Sequence, residues 1–450
     1  MPANIAAQGG EGQLKMFEVY SNYGVVDVLD YLTGIIEVNY YESILDDTVR
    51  ATATFADTGY RKSKEDAVGV FEKDDINMTS GEKVHLILED GYGEELKLTD
   101  DKQLRINGDP GLTVESVNKV IFSVDTYSKE SIDNMKADYW VYGRYDGEIP
   151  LNVDTILKET LKTPKKVILD RGLNSYNFLG HAEKPFYLIT TLAKKCVPAD
   201  IPNSFGILAG YLFYETYDGF NFRSIDKLFM QKPKKNFIYN EIIGTVPPGY
   251  DAHILDYSFV GSLNLDNLSK TGAMTQARKQ EFNRMKSIYG ENTFDSLEQY
   301  KDPSIHGGIE RPLLAEKLEG GPLQDFVTRH FNSLMSDDGI LPRGFTLAEQ
   351  IPRSQNPNFN MEEILRQSAM RYNQLFSHKM SIAIPGDFSL RAGDLVFVDF
   401  PEISGKKNRV VSQKISGIYM IADVCHRLTK SSCYTGLNLV RDSIYRKPFK

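Results

Sequence analysis

The side chains able to do metal or covalent chemistry are few and scattered. His181-Ala182-Glu183 reproduces the first half of a zinc-deaminase pattern, in which the histidine binds metal and the glutamate moves protons. The second half requires P-C-x-x-C, and Cys196 stands alone before Val197-Pro198, so the donor set is incomplete. Asp75-x-Asn77-x-Thr79 opens like a calcium loop. Ser80 then holds the turn position that calls for glycine, and Leu86 holds the place of the bidentate glutamate. Cys425, His426 and Cys433 offer thiol and imidazole ligands. Cys425 and His426 are neighbours in a strand-like stretch, so they point to opposite faces and share an ion poorly. His426 falls on the apolar face, where a hydrogen-bonded core or interface histidine is expected.

No GxxxxGK[ST], GxSxG or HExxH occurs. A catalytic pair among 61 acidic residues is a matter of proximity in space, and nothing local nominates one. Lys232-Pro-Lys-Lys235 reads as a solvated loop, with a phosphate or partner contact as the alternative. The aromatic set Tyr211, Phe213, Tyr214, Tyr217, Phe220 and Phe222 lacks interleaved cations and reads as hairpin packing rather than a base- or sugar-stacking platform. The expectation is no enzyme, no catalytic residues, no cofactor, no metal site and no disulfide.

Positioning elements can be read from length and pattern. At roughly 150 residues per domain, 450 residues allow about three domains, and 41% hydrophobic residues supply a large core. Lys and Arg number 52 against 61 Asp and Glu, a net charge of -9, so no cationic excess exists to neutralise phosphates and no nucleic-acid binding of its own is expected. Three cysteines build no disulfide framework, which points to a reducing compartment. No signal peptide and no membrane span are read from the apolar runs.

Val49, Ala51, Ala53 and Phe55 alternate with polar residues, as do Val84, Leu86 and Leu88. Leu96/Leu98 and Val117–Val124 continue a strand-rich start. Helical spacing follows at Val153, Ile156, Leu157 and Leu161, and after Pro185 at Phe186, Ile189, Ala193 and Cys196. Gly210–Phe222 reads as a hairpin turning at Asp218-Gly219. Helical patterns at Met274–Tyr289 and Leu323–Met335 sit among Gly- and Pro-rich connectors, and a helix with an apolar stripe spans Met361–Phe376. Leu395–Phe400 is apolar on both faces apart from Asp399, and Ile418–Leu428 alternates. The pattern reads β-rich, helical insert, β-rich: a flexible arm at 1–15, short strands whose spacing suits a barrel or a sandwich, a partly helical insert at 262–377, and strands again to the end.

Several blocks resemble one family: YGRYDGEI at 142–149, NFLGHAEKPFY at 177–187, GYLFYETYDGFNFRSID at 210–226, SAMRYNQLF at 368–376, IPGDFSLRAGD at 384–394, and SGIYMIADVCH at 416–426 with LVRD at 439–442. They are similar to the baseplate hub protein of contractile-tailed phages of the T-even and cyanophage type. The resemblance implies a structural virion protein made in the host cytoplasm, a β-rich α+β fold with two tube-type antiparallel β-barrels per subunit (16–139 plus 205–261, and 140–204 plus 378–450), and a homotrimeric ring. Such a hub joins a sixfold tail tube to a threefold central spike during host cell penetration. The partners it implies are a second and third copy, the central spike protein, the tail tube or tube-initiator protein, and baseplate wedge proteins. The alternatives are a tail-tip cell-wall hydrolase, and a secretion-system spike or carbohydrate-binding β protein.

Overall fold

The computed structural model describes residues 10–21, 24–30, 34–57, 80–109, 111–116, 119–136, 138–199, 209–239, 246–262, 364–365, 368, 372, 375–376, 378–400, 415–430 and 432–441. In chain order the elements are β1 (Gly12–Ser21), β2 (Gly24–Asp27), β3 (Gly34–Ser43), β4 (Arg50–Asp57), β5 (Lys83–Asp90), β6 (Glu95–Leu98), β7 (Leu104–Ile106), β8 (Gly111–Ser116) and β9 (Lys119–Ser128). Then come α1 (Lys129–Met135), β10 (Arg144–Tyr145), α2 (Ile149–Thr155), β11 (Val167–Leu169), β12 (Phe178–Leu179), α3 (Pro185–Ala193), β13 (Tyr211–Thr216), β14 (Gly219–Ser224) and α4 (Ile225–Phe229). The remainder are β15 (Lys235–Tyr239), β16 (Ala252–Ile254), β17 (Asp256–Ser262), β18 (His378–Pro385), β19 (Leu395–Asp399), β20 (Gly417–Thr429) and β21 (Cys433–Arg441).

Among the described residues sixteen strands join one sheet, and β20 lies near its middle. The first residues of β20 pair with β19, from Gly417↔Val398 to Met420↔Leu395. Its last residues pair with β3, from Asp423↔Ser43 to Thr429↔Glu37. The change of neighbour falls at Ala422, an extra residue against β21, and such a bulge adds bend and twist.

Two circuits of pairing follow. In the first, β1, β5, β7, β9, β4, β3, β20 and β21 succeed one another. It closes where the Cys433 amide donates to the Gly10 carbonyl at 2.7 Å. In the second, β15, β19, β20, β21, β18 and β17 succeed one another. β16 leads into β17 through Leu255, whose amide donates to Ala383, and β16 pairs back onto β15. The β20–β21 hairpin belongs to both rings.

The alternating apolar residues fill these rings. Ala51, Ala53, Phe55, Val84, Leu86 and Leu88 meet Phe17, Val38 and Phe122 inside the first. Phe237, Ile382, Val396, Val398, Tyr419 and Leu437 fill the second. Each of the Val, Leu, Ile and Phe side chains among these, once buried, stabilises the fold by about 1.5–3 kcal/mol. A helical unit lies between 129 and 229. There α2, continued by a wider turn to Thr160, and α3 pack on the three-stranded sheet β11-β14-β13 around Val153, Ile156, Leu157, Phe186, Ile189 and Phe220.

The outer face of the second ring is also covered. Leu395, Ile418, Met420 and Ala422 pack under Leu212 and Tyr214 of β13, under Ile225, Leu228 and Phe229 of α4, and under Leu375. Of the helix expected over 361–376, the described residues Ile364, Leu365, Ser368, Tyr372 and Leu375 are helical, and Ile364 and Leu375 are buried.

Three expectations need correction. The arm does not extend to residue 15: Gly12–Lys15 belong to β1, because Gly12 fits against Cys433 and Leu428, where a Cβ would stand 2.6 Å from Cys433 Cβ. Strands β15, β16 and β17 do not pair with the N-terminal strands; β15 pairs with β19 and β16, and β17 with β18, while β13 and β14 join the helical unit. The two-residue turn of the β13–β14 hairpin is Tyr217-Asp218, one residue earlier than expected, with the positive φ (130°) on the following Gly219. The spans Met274–Tyr289 and Leu323–Met335 lie outside the described residues.

Candidate functional site at the junction of the rings

The shared hairpin carries its polar residues on two sides of the sheet. On the inner side, His426 is fully buried between the two ring cores. Its ring stacks on Tyr40 and meets Phe388 edge-on. Nε2 lies 3.3 Å from the Leu390 carbonyl, which can only accept, so Nε2 carries the proton and Nδ1 accepts from the Thr435 hydroxyl at 3.0 Å. Burial, helped by the Arg391 charge, pushes its pKa down to about 3. This histidine is a neutral, satisfied core group.

On the outer side, Ser258, Ser381, Asn438, Asp423 and Ser43 stand directly opposite one another across β17, β18, β21, β20 and β3. Five strands at about 4.8 Å make this row roughly 19 Å long. Ser381 Oγ donates to Asn438 Oδ1 (2.6 Å), Asn438 Nδ2 to Asp423 Oδ2 (2.9 Å), and Ser43 Oγ to Asp423 Oδ1 (2.6 Å). The small side chains leave an open cavity of about 550 Å³ above the row, walled by Tyr41 and Arg50.

A second polar cluster fixes the helical unit to the first ring. Glu42 of β3, fully buried, accepts from the amides of Tyr217 (2.8 Å) and Ala392 (2.9 Å) and from the Tyr40 hydroxyl (3.0 Å). Burial raises its carboxyl above the ordinary range, against the opposing charge of Arg391. Tyr217, at the hairpin tip, accepts from the Lys97 amide through its hydroxyl. Its ring lies between two cations, with Lys102 Nζ at 3.4 Å and Arg391 Cζ at 4.7 Å from the centroid. Glu42 and Arg391 are enclosed, and through them the cluster ties β3 to the hairpin tip and to the segment before β19.

The residues singled out from the sequence are not brought together. His181 is exposed at φ 52°, and Cys196 is buried in the helical core, its thiol pKa raised by that burial. Leu86 is core, while Asp75, Asn77 and Thr79 lie outside the described residues. Cys425 sits opposite Gly436 and Cys433 opposite Leu428, so the two thiols are not cross-strand partners. All three cysteines are free. Among the described residues no group of three His, Cys, Asp or Glu is placed to hold a metal ion, and no helix is long and apolar enough to cross a membrane. The lysine run is less solvated than expected: Lys234 reaches Asp394 at 2.9 Å and Lys235 reaches Asp387 at 3.3 Å. Tyr211, Phe213, Tyr214, Phe220 and Phe222 are buried hairpin residues. Sequence reasoning missed Glu42 and the carboxylates of Glu130 and Glu215, which meet only through contacts distant in sequence.

No protein-family model and no curated protein matches the sequence. Among solved structures, the 43 kDa tail protein of prophage MuSo2 from Shewanella oneidensis is 12% identical, with 96% of this chain and 100% of that chain covered and a TM-score of 0.46. A tail protein from Neisseria meningitidis is 11% identical, with coverage of 96% and 97% and a TM-score of 0.44. An E. coli component of the type VI secretion system, described as similar to bacteriophage tail proteins, is 8% identical, with coverage of 97% and 79% and a TM-score of 0.41. At these scores the overlaps assign no family.

Proposed function

We propose that the chain is a structural component of a phage tail baseplate, a hub joining the sixfold tail tube to the threefold central spike, acting as a homotrimer without catalysis. The observation that carries this reading is the β20–β21 hairpin, which is shared by two circuits of strand pairing in one sheet. Two tube-type barrels per subunit give six quasi-equivalent barrels in a trimer, and three of one unit meeting six of another is the geometry a symmetry adaptor needs. The hub-like blocks at 384–394 and 416–426 coincide with the loop and strand that join the rings. The buried ionisable groups bind elements to one another, as suits a load-carrying part. Spike, tube or tube-initiator, and wedge proteins are its partners in this reading, and the virion baseplate is its location. Light scattering of the purified protein tests it: a particle near three times 50.9 kDa is expected. A stable monomer at micromolar concentration overturns it.

A further inference from the structure

Three buried ionisable groups meet where the helical unit rests on the first ring. Lys165 stands between two carboxylates, its Nζ 2.7 Å from Glu130 Oε2 and 2.6 Å from Glu215 Oε1, and the three side chains are 5%, 1% and 1% exposed. They come from separate pieces of chain: the first turn of α1, the segment entering β11, and β13. Glu130 Oε1 accepts from the Thr163 hydroxyl at 2.8 Å. Glu215 Oε2 accepts from the Val49 amide at 3.1 Å, and the Ser128 hydroxyl at the end of β9 also bonds this carboxyl. From β3, Tyr40 faces Glu215 within electrostatic range, with Glu42 and Arg391 beyond it. From β14, the Phe220 ring centroid lies 5.8 Å from the Lys165 ammonium.

Two carboxylates around one ammonium leave one negative charge without a counter-ion of its own. In an enclosed joint such a charge is costly, and the local remedy is a proton. Burial raises the Glu215 carboxyl; the pull of Lys165 opposes this and the charge of Glu130 adds to it. Burial also works to lower Lys165, but Glu215 and Glu130 outweigh it and hold the ammonium above its ordinary range. The proton therefore goes to a carboxyl and not away from the lysine. Burial is the largest influence on the Glu215 carboxyl and raises it, which makes Glu215 the acceptor.

We propose that this triad is an acid-tightened latch between the helical unit and the first ring, in which Glu215 takes up one proton and leaves a single Lys165–Glu130 ion pair. Protonation keeps the Lys165 contact, since Oε1 still accepts, and the Ser128 hydroxyl is a group able to accept the new O–H. The sign follows from linkage. A carboxyl raised in the folded chain binds its proton more tightly there than in the unfolded chain. The stability it contributes is complete below the ordinary value of 4.5 and is lost as the pH rises through the folded value.

Thermal unfolding of the full chain between about pH 8 and about pH 5 tests the latch. Glu130→Gln removes the excess charge while its amide still accepts from Lys165 and donates to Thr163. It should melt at least about 2 °C above the parent near the alkaline end, with the gap closing toward the acid end. Lys165→Met leaves two facing carboxylates, so it should melt below the parent near the alkaline end and recover in acid. A Glu130→Gln midpoint at or below the parent's near the alkaline end, or a gap that does not change with pH, overturns the proposal. If Lys165→Met fails to fold at neutral pH, the Glu130→Gln series decides alone.

Discussion

The two halves of β20 are one strand under two regimes. From Ile418 to Ala422 every residue is buried; from Asp423 to Thr429 buried and half-buried residues alternate. Inward-facing residues are similar in both, with Tyr419 and Ile421 in the second ring's core and Leu428 in the first's. The difference lies outside. Ile418, Met420 and Ala422 meet α4, β13 and Leu375, whereas Asp423 and Cys425 line the open cavity. A strand with both faces apolar therefore reports a cover supplied by the rest of the chain, and alternation reports a face left for water or a partner.

The largest effect should come from inside the covered region. Val398 of β19 pairs with Gly417 and lies wholly in the second ring's core. Val398→Asp should lose several kcal/mol, since a carboxylate there is either desolvated or protonated at a cost. Denaturant titration and soluble yield check this; a midpoint equal to the parent's would mean that β19 is not a core strand. On the outer face of the same region, Met420→Ala should lose about 2–5 kcal/mol if the cover is as close as the burial implies. A loss typical of an exposed site would show that the cover is loose.

The cover itself depends on Gly219. Its φ is 130°, and a Cβ there would stand 2.1 Å from the Lys166 carbonyl, which accepts the Phe220 amide. Gly219→Val should cost more than about 1 kcal/mol and pull β14 from β11. Unchanged thermal stability would mean the hairpin can shift without loss. Within the alternating half, His426 gives a pH signature opposite to the latch. Its folded pKa, about 3, lies below the ordinary 6.5, so its contribution is present above 6.5 and is lost as the pH falls toward the folded value. The stability gap between the parent and His426→Gln should narrow as the pH drops through that window. A gap constant with pH would indicate that the imidazole is already charged in the fold.

Much of the ring structure was legible because period-two alternation survives in the sequence. Ala51, Ala53 and Phe55, and likewise Val84, Leu86 and Leu88, point where the alternation puts them. Helical spacing located α2 and α3, with Pro150 and Pro185 in their first turns. The ring partners of β15 to β17 were not legible, since alternation gives a strand's faces but not its neighbour, and here β15 runs parallel to β19, a segment distant in sequence. Gly219 was readable as a turn residue, but the register by one was not, because Tyr217 occupies the turn for its contacts with Glu42 and Lys97. The Glu130–Lys165–Glu215 cluster is likewise a product of tertiary contact, with no local spacing to announce it.

The smallest effect should come from the open half. Arg427 points outward from β20, pairs with Glu37 across the β3–β20 ladder, and lies over the Tyr434 ring at 5.6 Å. Its side chain is 31% exposed and Glu37's is 26%, so solvent screens the pair, and side-chain ordering offsets part of the attraction. Arg427→Ala should therefore lose about 0.2–1 kcal/mol, well under the loss at Met420 on the same strand. The ratio of the two losses is the measurement that matters, since both substitutions truncate a long side chain on the outward side of β20. It also separates the monomer from an assembly. If the open half is a contact face of the proposed ring, Arg427→Ala should weaken association in light scattering by more than it lowers the melting midpoint. Equal losses at 420 and 427 in the isolated chain would mean that the two halves of the strand are covered alike.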